Sequence, residues 1–403
     1  MQIEWTNQSA PEADSGNGTL IRAEGRAAAP NLKDAFLEAA KALGRNLAGQ
    51  GATPANIEFL TISVPDMAAF QADLANFDLL YREALGGNSG RVGLIEAPDQ
   101  VILTAQAVVP PVSDEIVFGS YTRSQLNREY SPRATVPEAP DIMARWRIDG
   151  TAHQPSRSAE LSYGKDPAHG IDLFMPSPPS RGTVPPPLHA YIHGGYWQAL
   201  DKRDNCQFGI PMVEAGIAFA AINYPLCPPA TVSEIVTACR AALASLYRCA
   251  ADFGYDAGRI TISGHSAGGH LVGMLAATDW SALDDGLPAD LIKGTIAISG
   301  LFEVEPLVHT GLNKALGLTV DAAKEVSPIL LPALPDGPVI AAVGGAESDE
   351  FRRQSRDYVD LLTRNGVDAE YLEMPGLNHF TAVEALADLQ SDLYKKVMKM
   401  AFR

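Results

Sequence analysis

Cysteine, positive charge and long apolar runs are all scarce in this chain. Its four cysteines, Cys206, Cys227, Cys239 and Cys249, form no C-x-x-C pair, which argues against a disulfide framework or a thiolate metal site. Cys239 and Cys249 fall in one expected helix, where a rise of about 1.5 Å per residue holds them too far apart to bridge. A reducing cytoplasm is the expected setting. Lys and Arg number 31 against 48 Asp and Glu, a net charge of −17, which speaks against nucleic acid or anionic lipid as a partner. No stretch reaches the ~18 uninterrupted apolar residues of a membrane span. The start, Met1-Gln-Ile-Glu-Trp-Thr6, has neither a basic nor an apolar leader segment, so no signal peptide is expected. What the chain does have is length and apolar content. With 403 residues, 46% of them hydrophobic, a large core is available and two domains are expected before one.

The most informative stretch runs from Arg259 to Ala277. Arg259 to Ser263 is a β-branched strand signal, and Ala267 to Ala277 is a small, apolar, uncharged helix signal. Between them sits Gly264-His265-Ser266-Ala267-Gly268, a G-x-S-x-G elbow, in which a sharp strand-to-helix turn lifts the serine to a helix N-terminus. The flanking glycines fit such a turn, where a Cβ would collide with neighbouring backbone. Further strands are expected at Leu188–His193, Ile217–Asn223, Ile292–Ser299, Val339–Gly344 and Ala369–Glu373, with helices at Thr231–Phe253 and Thr381–Met400. Strands alternating with helices imply a parallel sheet covered on both faces. With the elbow, the expected fold is an α/β-hydrolase.

That fold supplies its relay in the order serine, acid, histidine. Only His309 and His379 lie well beyond Ser266, and only His379, in Pro375-Gly-Leu-Asn-His379, follows the candidate acids. His309 is expected in a lid or helix. The segment after the penultimate strand, Val343-Gly-Gly-Ala-Glu-Ser-Asp-Glu350, offers three carboxylates. Glu350 is expected to begin a helix and complement its dipole. Glu347 and Asp349 both remain, since either can accept from an imidazole Nδ1–H and fix its tautomer. For the oxyanion, His193-Gly194-Gly195-Tyr196-Trp197 brings bare backbone close, so that Gly194, Gly195 and Tyr196 join the Ala267 N–H. Trp197 and His265 are the expected pocket-lining residues. His193, His265 and His270 lack metal-ligand spacing, and neither a metal nor any other cofactor is expected.

His193–Trp197, Gly264–Gly268, Ser299-Gly-Leu-Phe-Glu-Val-Glu-Pro306, Ser348-Asp-Glu-Phe-Arg-Arg-Gln-Ser355 and Tyr121–Pro137 together resemble the arylformamidase (kynurenine formamidase) and carboxylesterase branch of the α/β-hydrolases. The resemblance spans roughly 114–403. Carried over by position, it implies Ser266, Glu347 and His379 as the relay. The matching acid in formamidases is usually aspartate, so the glutamate is a departure.

A smaller domain is expected over 1–110: a strand at Thr19–Ala29, a helix at Leu32–Leu47, a strand at Ile57–Val64, a helix at Met67–Leu85 capped by Asp66, and two strands within Arg91–Val109 around Pro98-Asp99. Pro110-Pro-Val-Ser113 reads as a linker. This order, with Gly49-Gln-Gly-Ala-Thr-Pro-Ala-Asn-Ile-Glu58 and Val64-Pro-Asp-Met-Ala-Ala-Phe70, resembles the Rid (reactive-intermediate deaminase) family. The resemblance implies a chorismate-mutase-like α+β fold, trimers, and a carboxylate-holding arginine at Arg91. A homo-oligomer built through this domain is expected ahead of a second active site.

The expected activity is therefore that of a serine hydrolase working through an acyl-enzyme on a small-molecule ester or amide. A carboxylesterase for short-acyl or aryl esters comes first, and an arylformamidase second. A catalytically silent binding scaffold is the reading from another class.

Overall fold

A computed structural model describes residues 5–6, 19–29, 31–85, 91–96, 100–109, 115–177 and 184–403. The chain divides into two compact units, Met1–Pro140 with His309–Ala315, and Asp141–Val308 with Leu316–Arg403. The expected linker at 110–113, the turn at 98–99 and the side chain of Arg91 lie outside the described residues.

The first unit is built on a five-stranded sheet. Its strands are β1 (Trp5–Thr6), β2 (Thr19–Ala27), β3 (Ile57–Val64), β4 (Arg91–Glu96) and β5 (Val101–Val109), in the order β1-β4-β3-β5-β2. The β4 pairings are parallel, and those of β5 antiparallel. The helix Leu32–Gly49 buries Phe36, Ala39, Leu43 and Leu47. It lies so close to β2 that a Cβ on Gly25 would sit 1.9 Å from the Ala39 carbonyl oxygen. The single helix expected over Met67–Leu85 is two, Met67–Ala72 and Leu74–Leu85. Asp73 ends the first in a non-helical conformation, and its carbonyl accepts from Phe77 N at the start of the second. Phe70 and Phe77 still meet Phe36, at centroid distances of 5.7 and 5.2 Å. This unit also holds the short hairpin of β6 (Ile116–Phe118) and β7 (Tyr121–Thr122), and the capped helix Arg123–Glu129.

The second unit carries eight strands: β8 (Ala159–Ser162), β9 (Gly170–Phe174), β10 (Pro187–Ile192), β11 (Ala218–Ile222), β12 (Asp256–His265), β13 (Ile292–Ile298), β14 (Val339–Gly344) and β15 (Ala369–Met374). Their order is β15-β14-β13-β12-β10-β11-β9-β8. The six strands from β15 to β11 are parallel, as the alternation of strands and helices predicts. The outer pair β9 and β8 runs antiparallel, joined as a hairpin with no helix between its strands. Every residue of β10, β11 and β14 is buried, the signature of strands covered on both faces. The strand order reverses between β10 and β12, and at such a switch point the carboxyl ends of the strands open a crevice. Both glycine-bearing motifs leave the sheet there. The closing helix expected over Thr381–Met400 is split into Thr381–Glu384 and Asp392–Ala401, the second capped by the Ser391 hydroxyl, which accepts from Tyr394 N at 2.9 Å.

A buried ion cluster ties the antiparallel edge to the loop beyond β10. Asp172 on β9 is fully buried, with Lys202 Nζ 2.5 Å and Arg157 Nη1 2.8 Å away, and Lys202 also reaches Glu160 on β8 at 2.7 Å. Lys202→Met is therefore expected to lower unfolding stability by about 3 kcal/mol, because it strands a buried carboxylate with one cation where it had two. Adding Asp172→Asn should recover part of that loss in urea titrations; an unchanged midpoint in Lys202→Met would remove the cluster from any account of stability.

Candidate active site

Ser266 follows β12 and adopts φ 58° and ψ −117° before the helix Ala267–Ala276 begins. Two crossings of bare backbone permit this turn. A Cβ on Gly264 would lie 2.3 Å from the Gly268 carbonyl oxygen, and one on Gly268 would lie 2.0 Å from that of Ile192 on β10. Ser266 N donates to the Ile298 carbonyl of β13 at 2.8 Å, so the elbow is fastened to the strand beside it. The N–H groups of the first helical turn have no partner within the helix, and they give the helix start its affinity for negative charge.

Three segments remote in sequence meet over this turn. His379, in the loop after β15, has Nε2 3.0 Å from Ser266 Oγ and Nδ1 2.6 Å from Glu347 Oε2. A carboxylate oxygen only accepts, so the Nδ1–H donates to Glu347, and with that tautomer in the neutral ring Nε2 accepts from the serine hydroxyl. Glu347, beyond β14, uses its other oxygen, Oε1, to accept from Ser299 Oγ at 2.6 Å and Gly344 N at 2.7 Å. All three side chains are nearly withdrawn from solvent, with Ser266 3%, His379 5% and Glu347 8% exposed. Asp349 is not part of this arrangement. It opens the helix Asp349–Arg364, its side chain is 76% exposed, and it pairs with Arg352. Glu350 is buried in the same first turn and pairs with Arg353 at 2.9 Å. His309 begins the segment His309–Ala315 of the first unit, where its carbonyl accepts from Arg123 Nη1 at 2.7 Å.

The loop after β10 approaches the nucleophile closely. A Cβ on Gly194 would sit 2.7 Å from the His265 carbonyl oxygen and 3.1 Å from Ser266 Cβ. Gly195, Tyr196 and Trp197 take φ values of 100°, 50° and 57° in succession, a tight left-handed turn. Its carbonyls are held from behind: the Tyr224 hydroxyl lies 2.9 Å from His193 O and 3.0 Å from Gly194 O, and Cys227 N donates to Trp197 O at 2.7 Å. Tyr196 is half-buried, and its phenol is pushed up by burial first and by the Glu347 charge second. Trp197 is fully buried, with its ring edge-on to His270 at 4.9 Å.

The remaining histidines of the two motifs hold protein groups. His265 Nε2 donates to the His379 carbonyl at 2.7 Å, and its ring lies 4.8 Å from the His379 ring. His193 Nε2 lies 3.1 Å from Asn223 Oδ1, and His270 Nε2 donates to Val326 O at 2.7 Å. Sequence reasoning named Ser266, His379 and Glu347 but gave no role to Ser299, Asn223 or Tyr224. A single serine, asparagine or tyrosine after a strand carries no signal of its own. Only the quoted Ser299–Pro306 motif pointed towards one of them.

The comparisons with known proteins fit this geometry. The BD-FAE family model matches residues 171–299. A kynurenine formamidase of Danio rerio is 28% identical over 294 residues, covering 70% of this chain and 97% of that protein. The kynurenine formamidase of Salmo salar is 31% identical over 246 residues, covering 60% of this chain and 80% of its own length. The chain belongs to the kynurenine formamidase family. A crystal structure of a candidate thioesterase from Silicibacter is likewise similar, at 30% identity and a TM-score of 0.60, covering 68% of this chain and 99% of that one. As a member of this family the protein is an α/β-hydrolase and an enzyme of the serine-hydrolase type. No helix among the described residues is long and apolar enough to cross a membrane.

Burial around the family motifs has a consequence for stability. Burial lowers the pKa of His189 to about 3 and that of His270 to about 4, and pushes His193 down and His265 well down, the latter with help from neighbouring His379. Each folded value lies below the unfolded value of about 6.5, so the unfolded chain binds the extra protons. Their contribution is complete above pH ~6.5 and is lost as the pH falls, each histidine adding up to about 1.4 kcal/mol per pH unit. The thermal midpoint should hold from pH 8 to 7 and drop below ~6.5, less steeply in His189→Gln. A flat midpoint down to pH 5 would contradict this.

Proposed function

We propose that the protein hydrolyses small aryl acyl compounds through an acyl-enzyme on Ser266. The observation that carries this reading is the continuous relay from Ser266 Oγ through His379 to Glu347, set beside a glycine loop. His379 takes the serine proton as Ser266 attacks the carbonyl carbon, and Glu347 holds the imidazolium that results. The N–H groups of Gly195, Tyr196 and Ala267 receive the oxyanion, with Gly194 allowing the close approach; losing one such donor costs about 3 to 4 kcal/mol of transition-state stabilisation. His379 then protonates the leaving amine or alcohol and draws a proton from water for deacylation.

Two substrate classes fit. An N-aryl formamide such as N-formylkynurenine leads, because the Danio and Salmo relatives bear that activity in their names and are matched over most of their lengths. A short-acyl or aryl ester is the second reading, favoured by glutamate where aspartate is usual. Comparing kcat/KM for N-formylkynurenine with p-nitrophenyl acetate and butyrate ranks the two: the formamide should lead, and faster turnover of both esters would reverse the order. Ser266→Ala should lose kcat by up to about 10⁶-fold, and Glu347→Gln by about 10⁴-fold, while Asp349→Asn stays near wild type. Retained turnover in Ser266→Ala would move the chemistry elsewhere and revive the silent-scaffold reading.

For the smaller domain, residues 1–110, we propose a Rid-like, chorismate-mutase-type oligomerisation role, with 114–403 as the hydrolase domain. The mixed five-stranded sheet and its helices support that reading. A cytoplasmic setting is proposed from the four free thiols, three of them buried. Sizing the full chain beside one truncated to begin near Ser113 tests the role: a trimer falling to a monomer is expected, and an unchanged size would assign assembly to the hydrolase domain.

A further inference from the structure

We propose that Ser299 is a positioning residue of the relay, whose hydroxyl clamps Glu347 so that a single carboxylate oxygen is presented to His379. The proposal rests on the reading of Ser266, His379 and Glu347 given above. Ser299 follows β13, is fully buried, and is fixed by its own N–H, which donates to Ala342 O of β14 at 2.7 Å. Its φ is 51°, a conformation that glycine adopts freely and serine at a cost. The chain has glycine at the very next position, Gly300, yet carries a hydroxyl here. The partner of that hydroxyl is Glu347 Oε1 at 2.6 Å.

The carboxylate needs such donors. Among the described residues its ion pair is with His379, which carries charge only when protonated. The Tyr196 phenol, whose pKa the Glu347 charge helps to raise, is held protonated chiefly by burial. A buried carboxylate with no permanent cation depends on neutral donors. Glu347 has two at Oε1, Ser299 Oγ–H and the Gly344 N–H at 2.7 Å. Together they occupy Oε1 and stop the carboxylate turning about its last bond, which leaves Oε2 aimed at Nδ1. Glutamate has one more torsion than aspartate, so in this relay there is more freedom for a clamp to remove. The two sides of the clamp are also tied to each other. Gln354, on the helix that begins just after Glu347, accepts from Phe302 N at 2.7 Å and Glu303 N at 2.9 Å in the segment just after Ser299.

Ser299→Gly deletes the hydroxyl while suiting the backbone, and Ser299→Ala deletes it while keeping the strain. With p-nitrophenyl acetate, both variants should lose kcat by about 10- to 100-fold, the range for an outer hydrogen bond that orients a functional group, at nearly unchanged KM. Their thermal midpoints should differ from each other while their kcat losses agree. The downfield proton resonance of the His379 Nδ1–H, measured by NMR, should shift or broaden in both. Losses in kcat that track the two thermal midpoints would reduce Ser299 to a packing residue and overturn the proposal. Wild-type kcat and an unshifted resonance in Ser299→Gly, with Glu347→Gln inactive, would overturn it while leaving the relay intact. Full turnover in Glu347→Gln would bring down the relay and the proposal together.

Discussion

The site depends on one backbone turn. At Ser266 the chain passes from the central strand into a helix at φ 58°, ψ −117°, a conformation that a side-chain-bearing residue holds only when its surroundings over-determine it. Those surroundings are two glycine contacts too short for a methyl group and a backbone hydrogen bond to the neighbouring strand. Because the strand is β12, beside the point where strand order reverses, the turn places the serine where loops from β10, β14 and β15 all emerge. Every other member of the site is brought to this turn by the parallel register of those strands.

Strain gathers around the same place. Among the described residues, positive φ at non-glycine positions occurs at Tyr196, Trp197, Leu200, Ser266 and Ser299. Each belongs to the glycine loop, to the elbow or to the strand end that supports the acid. At about 1 to 3 kcal/mol apiece such conformations are costly, and the surrounding parallel strands are the rigid, buried frame able to offset them. The relay is also built with few permanent charges. Glu347 is satisfied by a hydroxyl and an amide, the His379 loop is held by His265, and the loop after β10 is braced by Tyr224. A site of fixed dipoles in a water-poor setting needs little reorganisation when charge develops during acyl transfer.

The parts legible in the sequence were those with local causes. The elbow reads from the spacing of Gly264 and Gly268 about Ser266, although of the collisions they avoid only that of Gly264 with Gly268 is local in the chain. The central strands read as continuous apolar runs because both of their faces are covered. The serine–acid–histidine order is the one the α/β-hydrolase fold supplies, so His379 was separable from His309. The misread elements failed for equally definite reasons. Apolar spacing continues across Asp73, so one helix was expected where the chain kinks and restarts with Phe70 and Phe77 still on one core. The run from Thr381 to Met400 hid a polar turn that Ser391 converts into a new helix start. The antiparallel direction of the outer strands β8 and β9 was not read at all, because strand direction leaves no mark in composition.

The sequence alone made legible the elbow motif, the glycine loop, His379 as the histidine that follows the candidate acids, and the alternation of strands with helices, since each is carried by a short run of neighbouring residue types or by chain order. It left Glu347 and Asp349 open, because two residues of separation after a strand decide which carboxylate points back over the sheet and which starts a helix facing solvent. Tertiary structure placed Glu347 beside His379 and Asp349 in solvent, brought Ser299 and Tyr224 to the site from other strands, and gave His265 the His379 carbonyl as its partner. Those outcomes depend on distances between segments far apart in the chain, and such distances exist only once the sheet has fixed its register.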